Sequence, residues 1–309
     1  MSILSRKEFH DEQAAYDYVE ARVWPHGATC PKCGERDRVS KMGGKSTRIG
    51  AYKCYKCRKP FTVKVGTIFE SSHVPMHIWL QAIYLMCASK KGISSNQLHR
   101  TLGVTLKTAW FMSHRIREAM RTEGGAFGVG GGSVEIDETF IGKEPGVTKT
   151  KTARGGAHKM KVLTLVDRDT RTAKSVVIDD LRVDTMAKAV AENMSREARM
   201  ITDEYRQYKH MAKDVAAQHE FVRHSAGEYV RQDDPEIHTN TVEGFYSVFK
   251  RGMKGVYQHC QKQHLHRYAA EFDFRYNNRA AKEISDTVRA DIALTGIVGK
   301  RLTYQTIGA

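Results

Sequence analysis

The chain has 309 residues, 40% of them hydrophobic, which is enough for two or three units with cores of their own. Lysine and arginine outnumber aspartate and glutamate by 50 to 35, giving a net charge of +15 and a pI near 9.5. That balance points to an anionic partner, most often nucleic acid. No apolar run approaches the roughly 18–20 residues that cross a bilayer. The first residues, among them Arg6, Lys7, Glu8 and Asp11, lack an apolar signal core, so the expected compartment is the cytoplasm.

Residues 1–27 hold a packing helix, with Phe9, Ala14, Ala15, Tyr18, Val19 and Val23 at helical spacing before Pro25 and Gly27. Next come Cys30-Pro31-Lys32-Cys33 and Cys54-Tyr55-Lys56-Cys57, with twenty residues between the pairs. Six cysteines in a cytoplasmic chain read as metal ligands or buried thiols. Two such pairs match a four-cysteine zinc ribbon, assigned to residues 28–70, with strands drawn from Arg48 to Val65. So small a unit has little core, and bound metal would supply on the order of 10 kcal/mol of its folding energy.

In residues 71–123, Pro75 opens a helix carrying Ile78, Trp79, Ala82, Ile83, Leu85 and Met86, and Gly92 closes it. Ser94 caps a short helix containing Leu98 and Leu102, Gly103 makes the turn, and Thr105 caps the helix that runs to Met120. Helix, glycine turn, helix is the helix-turn-helix pattern, although an ordinary helical hairpin looks similar. In that reading Lys107 and Thr108 face bases, while Arg115 and its basic neighbours His114, Arg117 and Arg121 face phosphates. Six glycines within residues 124–132 read as a flexible linker.

Residues 133–280 carry the chemistry. Val134 to Ile141 is a strand with Asp137 on its polar side. A basic loop over 143–161, with Lys149, Lys151 and Arg154, could track a nucleic-acid strand. Strands over 161–167 and 172–178 follow, then a helix over 183–199 and a short strand ending at Asp203. A helix over 205–217, a strand over 220–223 and a helix from Thr241 complete the unit. Three strands, helix, strand, helix, strand, helix is the order of the α/β RNase H-like fold. In that fold Asp137 and Asp203 become neighbours at the sheet centre. The last helix adds Glu243, with Asn240 one turn earlier as a second oxygen donor or a plain N-cap. Such oxygen ligands suit Mg²⁺ or Mn²⁺, and two ions about 3.5–4 Å apart perform phosphoryl transfer. Glu138 and Glu204 are expected to point away from the two aspartates. His259, Cys260, His264 and His266 read as packing or phosphate contacts, not as a second metal site.

Several stretches now combine: Glu135-Ile136-Asp137-Glu138-Thr139, Thr202-Asp203-Glu204, His238-Thr239-Asn240-Thr241-Val242-Glu243 on to Lys250-Arg251, and Gly255 to Asn277. With the four cysteines and the helix-turn-helix, the chain resembles bacterial insertion-sequence transposases of the zinc-ribbon, ISXO-like group over residues 15–280. The resemblance implies a DDE-type catalytic domain with Asp137 and Asp203 as the first two carboxylates and Glu243 or Asn240 as the third residue. Lys250, seven residues past Glu243, would hold a phosphate of the transposon end, with Arg251 beside it on the DNA. It further implies binding of terminal inverted repeats, metal-dependent strand cleavage, strand transfer into target DNA, and a homo-oligomer on paired ends, nucleoid-associated when bound. A zinc-ribbon transcription regulator, or a metal nuclease without strand transfer, are the alternatives. Residues 281–309 read as a C-terminal tail.

Overall fold

The computed structural model describes residues 2–121, 124–148 and 156–303. The chain divides into two units, Met1–Arg121 together with Arg279–Ala309, and Thr122–Asn278.

The first unit begins with α1 (Glu12–Val23), whose cap Asp11 accepts the Ala14 N–H at 2.7 Å. A three-stranded antiparallel ribbon follows: β1 (Val39–Lys41), β2 (Tyr52–Cys54) and β3 (Pro60–Phe61). Its small apolar centre is Trp24 set edge-on to both Tyr52 and Phe61. Helix α2 (Met76–Ala88) buries Met76, Trp79, Leu80, Ala82, Ile83, Met86 and Cys87. Apolar residues occur nearly all round it, as a central helix requires. Helix α3 (Ser95–Leu102) is capped by the Ser94 hydroxyl and ends at Gly103, whose φ of +66° takes the left-handed turn. Thr105 then caps α4 (Leu106–Met120).

In the second unit β4 (Ser133–Ile141), β5 (Met160–Asp167) and β6 (Thr172–Ile178) form an antiparallel meander. Then come α5 (Val183–Ala191), β7 (Arg199–Thr202), α6 (Arg206–Val215) and β8 (Gln218–Phe221). Strand order is β6-β5-β4-β7-β8, with β7 parallel to both β4 and β8. This is the RNase H-like α/β arrangement. Helix α7 (Asn240–Gly252), a π-helical turn (Met253–Tyr257) and α8 (Lys262–Asn277) complete the unit.

Alternation along the strands sorts the faces. Val134 and Ile136, with Leu163 and Leu165, pack against Met186, Val190, Tyr208 and Met211 of α5 and α6. Ile141, Met160, Val162 and Val166 pack against Phe245, Phe249, Leu265 and Phe272 of α7 and α8. Strand β5 is buried along its whole length because helices cover both faces.

Three expectations about helix ends, linker and tail differ from the structure. Helix α5 stops at Ala191, eight residues short of the expected end, where the Asn193 side chain donates to the Ala189 carbonyl at 2.8 Å. Part of the glycine linker is folded into the sheet unit. Phe127 exchanges backbone bonds with Asn193 and Ser195, and the Gly128 N–H donates to Asp167 at 2.9 Å. At Gly128, φ is +67° and a Cβ would stand 2.4 Å from that of Ala198, so this position needs glycine for close approach. The C-terminal segment is not merely a tail: it forms α9 (Asp286–Thr295), bound to the first unit's earlier helices. Asp291 accepts from Arg22 at 2.6 Å and from the Tyr18 hydroxyl at 2.7 Å, and Arg289 donates to the Cys87 carbonyl at 2.9 Å.

Candidate active site and metal centres

The last residue pair between parallel β4 and β7 is Glu135 with Ile201. Two residues beyond each stand Asp137, on β4, and Asp203, one residue past the end of β7, near enough for Asp203 to act on the Asp137 carboxyl. Burial is the main cause that raises the Asp137 carboxyl to about 8, and the nearby Glu138, Asp203 and Glu243 add to it. Burial also raises Asp203, helped by Glu204 and Glu243 and opposed by the Tyr205 N–H and by His224. Glu243 comes from the first turn of α7, where it accepts the Thr239 hydroxyl at 3.2 Å and lies 3.6 Å from His224 Nε2.

These carboxylates, from β4, the end of β7 and the first turn of α7, are oxygen donors of the kind that suits a hard divalent cation. A bound dication would reverse the penalty that drives Asp137 upward. Among the described residues, the three acids do not close into a set with all ligand oxygens within 4.8 Å.

Asn240 is exposed and is the first residue of α7; the cap position belongs to Thr239, which corrects the N-cap reading of Asn240. Two turns past Glu243, Lys250 places Nζ 5.5 Å from the centre of the Tyr246 ring. Arg251 is exposed and donates to the Ser247 carbonyl and hydroxyl. Glu138 lies on the other face of β4, accepting the Tyr208 hydroxyl at 2.6 Å, and Glu204 accepts both the N–H and the hydroxyl of Ser225.

The sulfurs of Cys30, Cys33, Cys54 and Cys57 all lie within 4.8 Å of one another. Cys30 and Cys57 are 3.7 Å apart, and Cys33 and Cys54 3.6 Å. Thiolates about 2.3 Å from a tetrahedral zinc stand roughly 3.8 Å from each other, so the cluster has the size of a zinc site. Backbone N–H groups of the knuckle, Cys57 first, lower the Cys54 thiol to about 7.

Helix α4 requires a correction. Arg115 is only 5% exposed, and its guanidinium donates to the carbonyls of Ile68, Glu70 and Leu302 at 2.7, 2.9 and 3.2 Å. A guanidinium spent on buried backbone cannot also meet a phosphate. His114 and Arg117 are buried too. Lys107 is exposed in the first turn, where the Thr108 N–H donates to Thr105 Oγ1 at 3.2 Å. Lys149, Lys151 and Arg154 lie outside the described residues.

Sequence reasoning gave no role to Glu135. It is fully buried, 2.6 Å from Arg168 Nε, and accepts the N–H groups of Thr241 and Val242 at 2.9 Å each. The available signal was a second acid on the same strand face as Asp137.

Residues 130–277 match the ISXO2-like transposase domain, and residues 10–60 match the transposase zinc-ribbon domain. The chain thus carries both a transposase zinc ribbon and an ISXO2-like transposase domain. An uncharacterized protein in transposable element ISH50 of Halobacterium salinarum is 27% identical over 282 residues, which is 87% of this chain and 92% of the relative. Among solved structures, a simian T-cell lymphotropic virus intasome, in complex with PP2A regulatory subunit B56 gamma, aligns at a TM-score of 0.28 and 11% identity. That alignment covers 62% of this chain and 64% of the intasome chain. The Mos1 strand transfer complex aligns at 0.22 and 11% identity, over 67% of this chain and 78% of its own. These likenesses are remote, and the order of the strands carries the fold. Among the described residues, no helix is long and apolar enough to cross a membrane.

Proposed function

We propose that the protein acts on DNA as a transposase, with Asp137, Asp203 and Glu243 holding the divalent ions for strand cleavage and for strand transfer into target DNA. The observation that carries this reading is the placement of Asp137 and Asp203 at equal distance past the last β4–β7 pair, with Glu243 near enough to raise Asp137. Magnesium or manganese held there supplies nucleophile activation and charge stabilisation at the scissile phosphate. Glu243 is favoured over Asn240 as the third ligand because it brings charge to the cation. Lys250, on the same helix, offers a cation for the phosphate of the transposon end, with Arg251 beside it.

Zinc in the four-cysteine cluster holds the ribbon together. The ribbon and the first turn of α4, with Lys107 and Thr108, bind the terminal inverted repeats; the net charge of +15 supports a polyanionic partner. The protein works in the cytoplasm as a homo-oligomer on paired ends.

The test uses a duplex ending in the inverted repeats that flank the gene, with Mg²⁺ and a supercoiled target. Wild-type protein should nick the end and yield products joined to target through the end's 3′-hydroxyl. Asp137→Asn should keep repeat binding and lose both products. Full activity in Asp137→Asn would overturn the reading; cleavage without joined products would reduce it to a nuclease.

A further inference from the structure

We infer that Glu135 and Arg168 are positioning residues that fix the separation between Asp137 and Glu243, an inference that rests on the metal-dependent reading above. The first N–H groups of a helix have no partner within it, and a side chain at the cap position ordinarily accepts them. Thr239 occupies that position in α7 and its side chain does not cap. Glu135, from the neighbouring strand, takes its place: one carboxylate oxygen accepts the N–H groups of both Thr241 and Val242 at 2.9 Å. The negative charge also sits at the positive end of the helix dipole.

The other oxygen of Glu135 takes Arg168 Nε at 2.6 Å. Arg168 follows β5 directly, and its own N–H donates to the Ser133 carbonyl at 3.0 Å. The rest of its guanidinium donates to the His238 carbonyl and Nδ1, at 2.8 and 2.9 Å, and to the Glu236 carbonyl. One buried ion pair therefore holds the whole approach to α7, from residue 236 to 242.

The mechanical path from Asp137 to Glu243 through this pair is short. It runs back two residues along one face of β4, across one carboxylate, and forward one residue from Val242. One turn beyond Glu243, the Tyr246 hydroxyl donates to the Asp137 carbonyl at 2.5 Å. Glu243 is thus bracketed by two attachments to the strand that carries Asp137. Burying an ion pair gains little stability over a packed apolar pair. A carboxylate shared between two amides and a guanidinium does fix geometry, and metal ligands depend on such support.

The experiment uses full-length, zinc-loaded protein with Glu135→Gln and Arg168→Lys, and Asp137→Asn in parallel. Readouts are Mn²⁺ binding by calorimetry, Mg²⁺-dependent nicking of the repeat-end duplex, repeat binding and thermal unfolding. Both positioning variants should fold and bind the repeat with unchanged KM. Their Mn²⁺ affinity and kcat should fall about 10- to 100-fold, the range typical of residues that support a metal ligand. A folded Glu135→Gln with wild-type Mn²⁺ affinity and nicking would overturn the inference, provided Asp137→Asn abolishes both. If Asp137→Asn leaves both intact, it is the metal-site reading that fails. Should Glu135→Gln not fold, Arg168→Lys decides alone, since that side chain lies at the edge of the network with 14% exposure.

Discussion

Tyr246 and Asp137 are joined through the strand backbone: the phenol of Tyr246, buried beneath α7, donates to the Asp137 carbonyl oxygen at 2.5 Å. The contact places the second turn of α7 against the residue proposed as a metal ligand, with Glu243 one turn earlier on the same helix.

That geometry separates the two candidates for the third ligand. Glu243→Gln should lower Mg²⁺-dependent cleavage by more than the roughly 10–100-fold typical of a supporting residue, as should Asp203→Asn. Asn240→Ala should stay within about tenfold of wild type, because Asn240 is exposed and neutral. Nicking rates on one repeat-end duplex check this; the reverse ranking would move the third ligand to Asn240.

Lys107 and Arg115 share a helix and should behave differently. Lys107→Ala should reduce the slope of log affinity against log salt by about one, the signature of one lost phosphate contact. Arg115→Ala should leave that slope unchanged. It should instead lower stability by about 2–3 kcal/mol or more, because it strips partners from the carbonyls of Ile68 and Glu70. Repeat-binding titrations at several salt concentrations, with urea unfolding, distinguish the two.

Metal removal should act on the ribbon. One zinc per chain should be released by a thiol-reactive mercurial, and Cys54→Ser should release it without reagent. Because bound metal contributes on the order of 10 kcal/mol to such small units, the ribbon should lose its protease resistance with the ion. Retained resistance after complete release would count against a structural role.

Asp273 sets a pH dependence away from the carboxylate site. It is buried on α8 and accepts the N–H and hydroxyl of Ser175 at 2.8 and 2.6 Å. Burial raises its carboxyl from 3.8 to about 7, outweighing the Ser175 bonds. Between these values the folded chain keeps a proton that the unfolded chain has lost. The associated stability is whole below the lower value and is lost as pH rises toward the upper one. The slope is at most about 1.4 kcal/mol per pH unit. Asp273→Asn mimics the protonated side chain and should flatten the wild-type decline between pH 5 and 7.5 in urea unfolding. An identical decline in both proteins would refute the assignment.

The parts of this molecule that sequence reveals are those whose causes are local. The β-branched run Thr172–Ile178 becomes β6 with no shift in its ends, and the spacing of the cysteines suffices to find a metal-sized cluster. That β4 and β7, the strands leading to Asp137 and Asp203, are neighbours is legible in the order of elements, because topology decides which strands pair. Arg115 was misread because its burial is set by carbonyls at Ile68 and Leu302, which no helical period can report. Glu135 was passed over for the same reason: its partners are Arg168 and the amides of Thr241 and Val242. Helix α9 looked like a tail because its Asp291 is matched by Tyr18 and Arg22, near the other end of the chain.

That last pairing bears on synthesis. The catalytic sheet is an insertion between two pieces of the first unit, and the second piece leaves the ribosome after it. A nascent copy can finish its RNase H-like part while Tyr18, Arg22 and the Cys87 carbonyl still await their partners. Early termination just past α8 would thus yield an intact sheet attached to an unfinished amino-terminal fold.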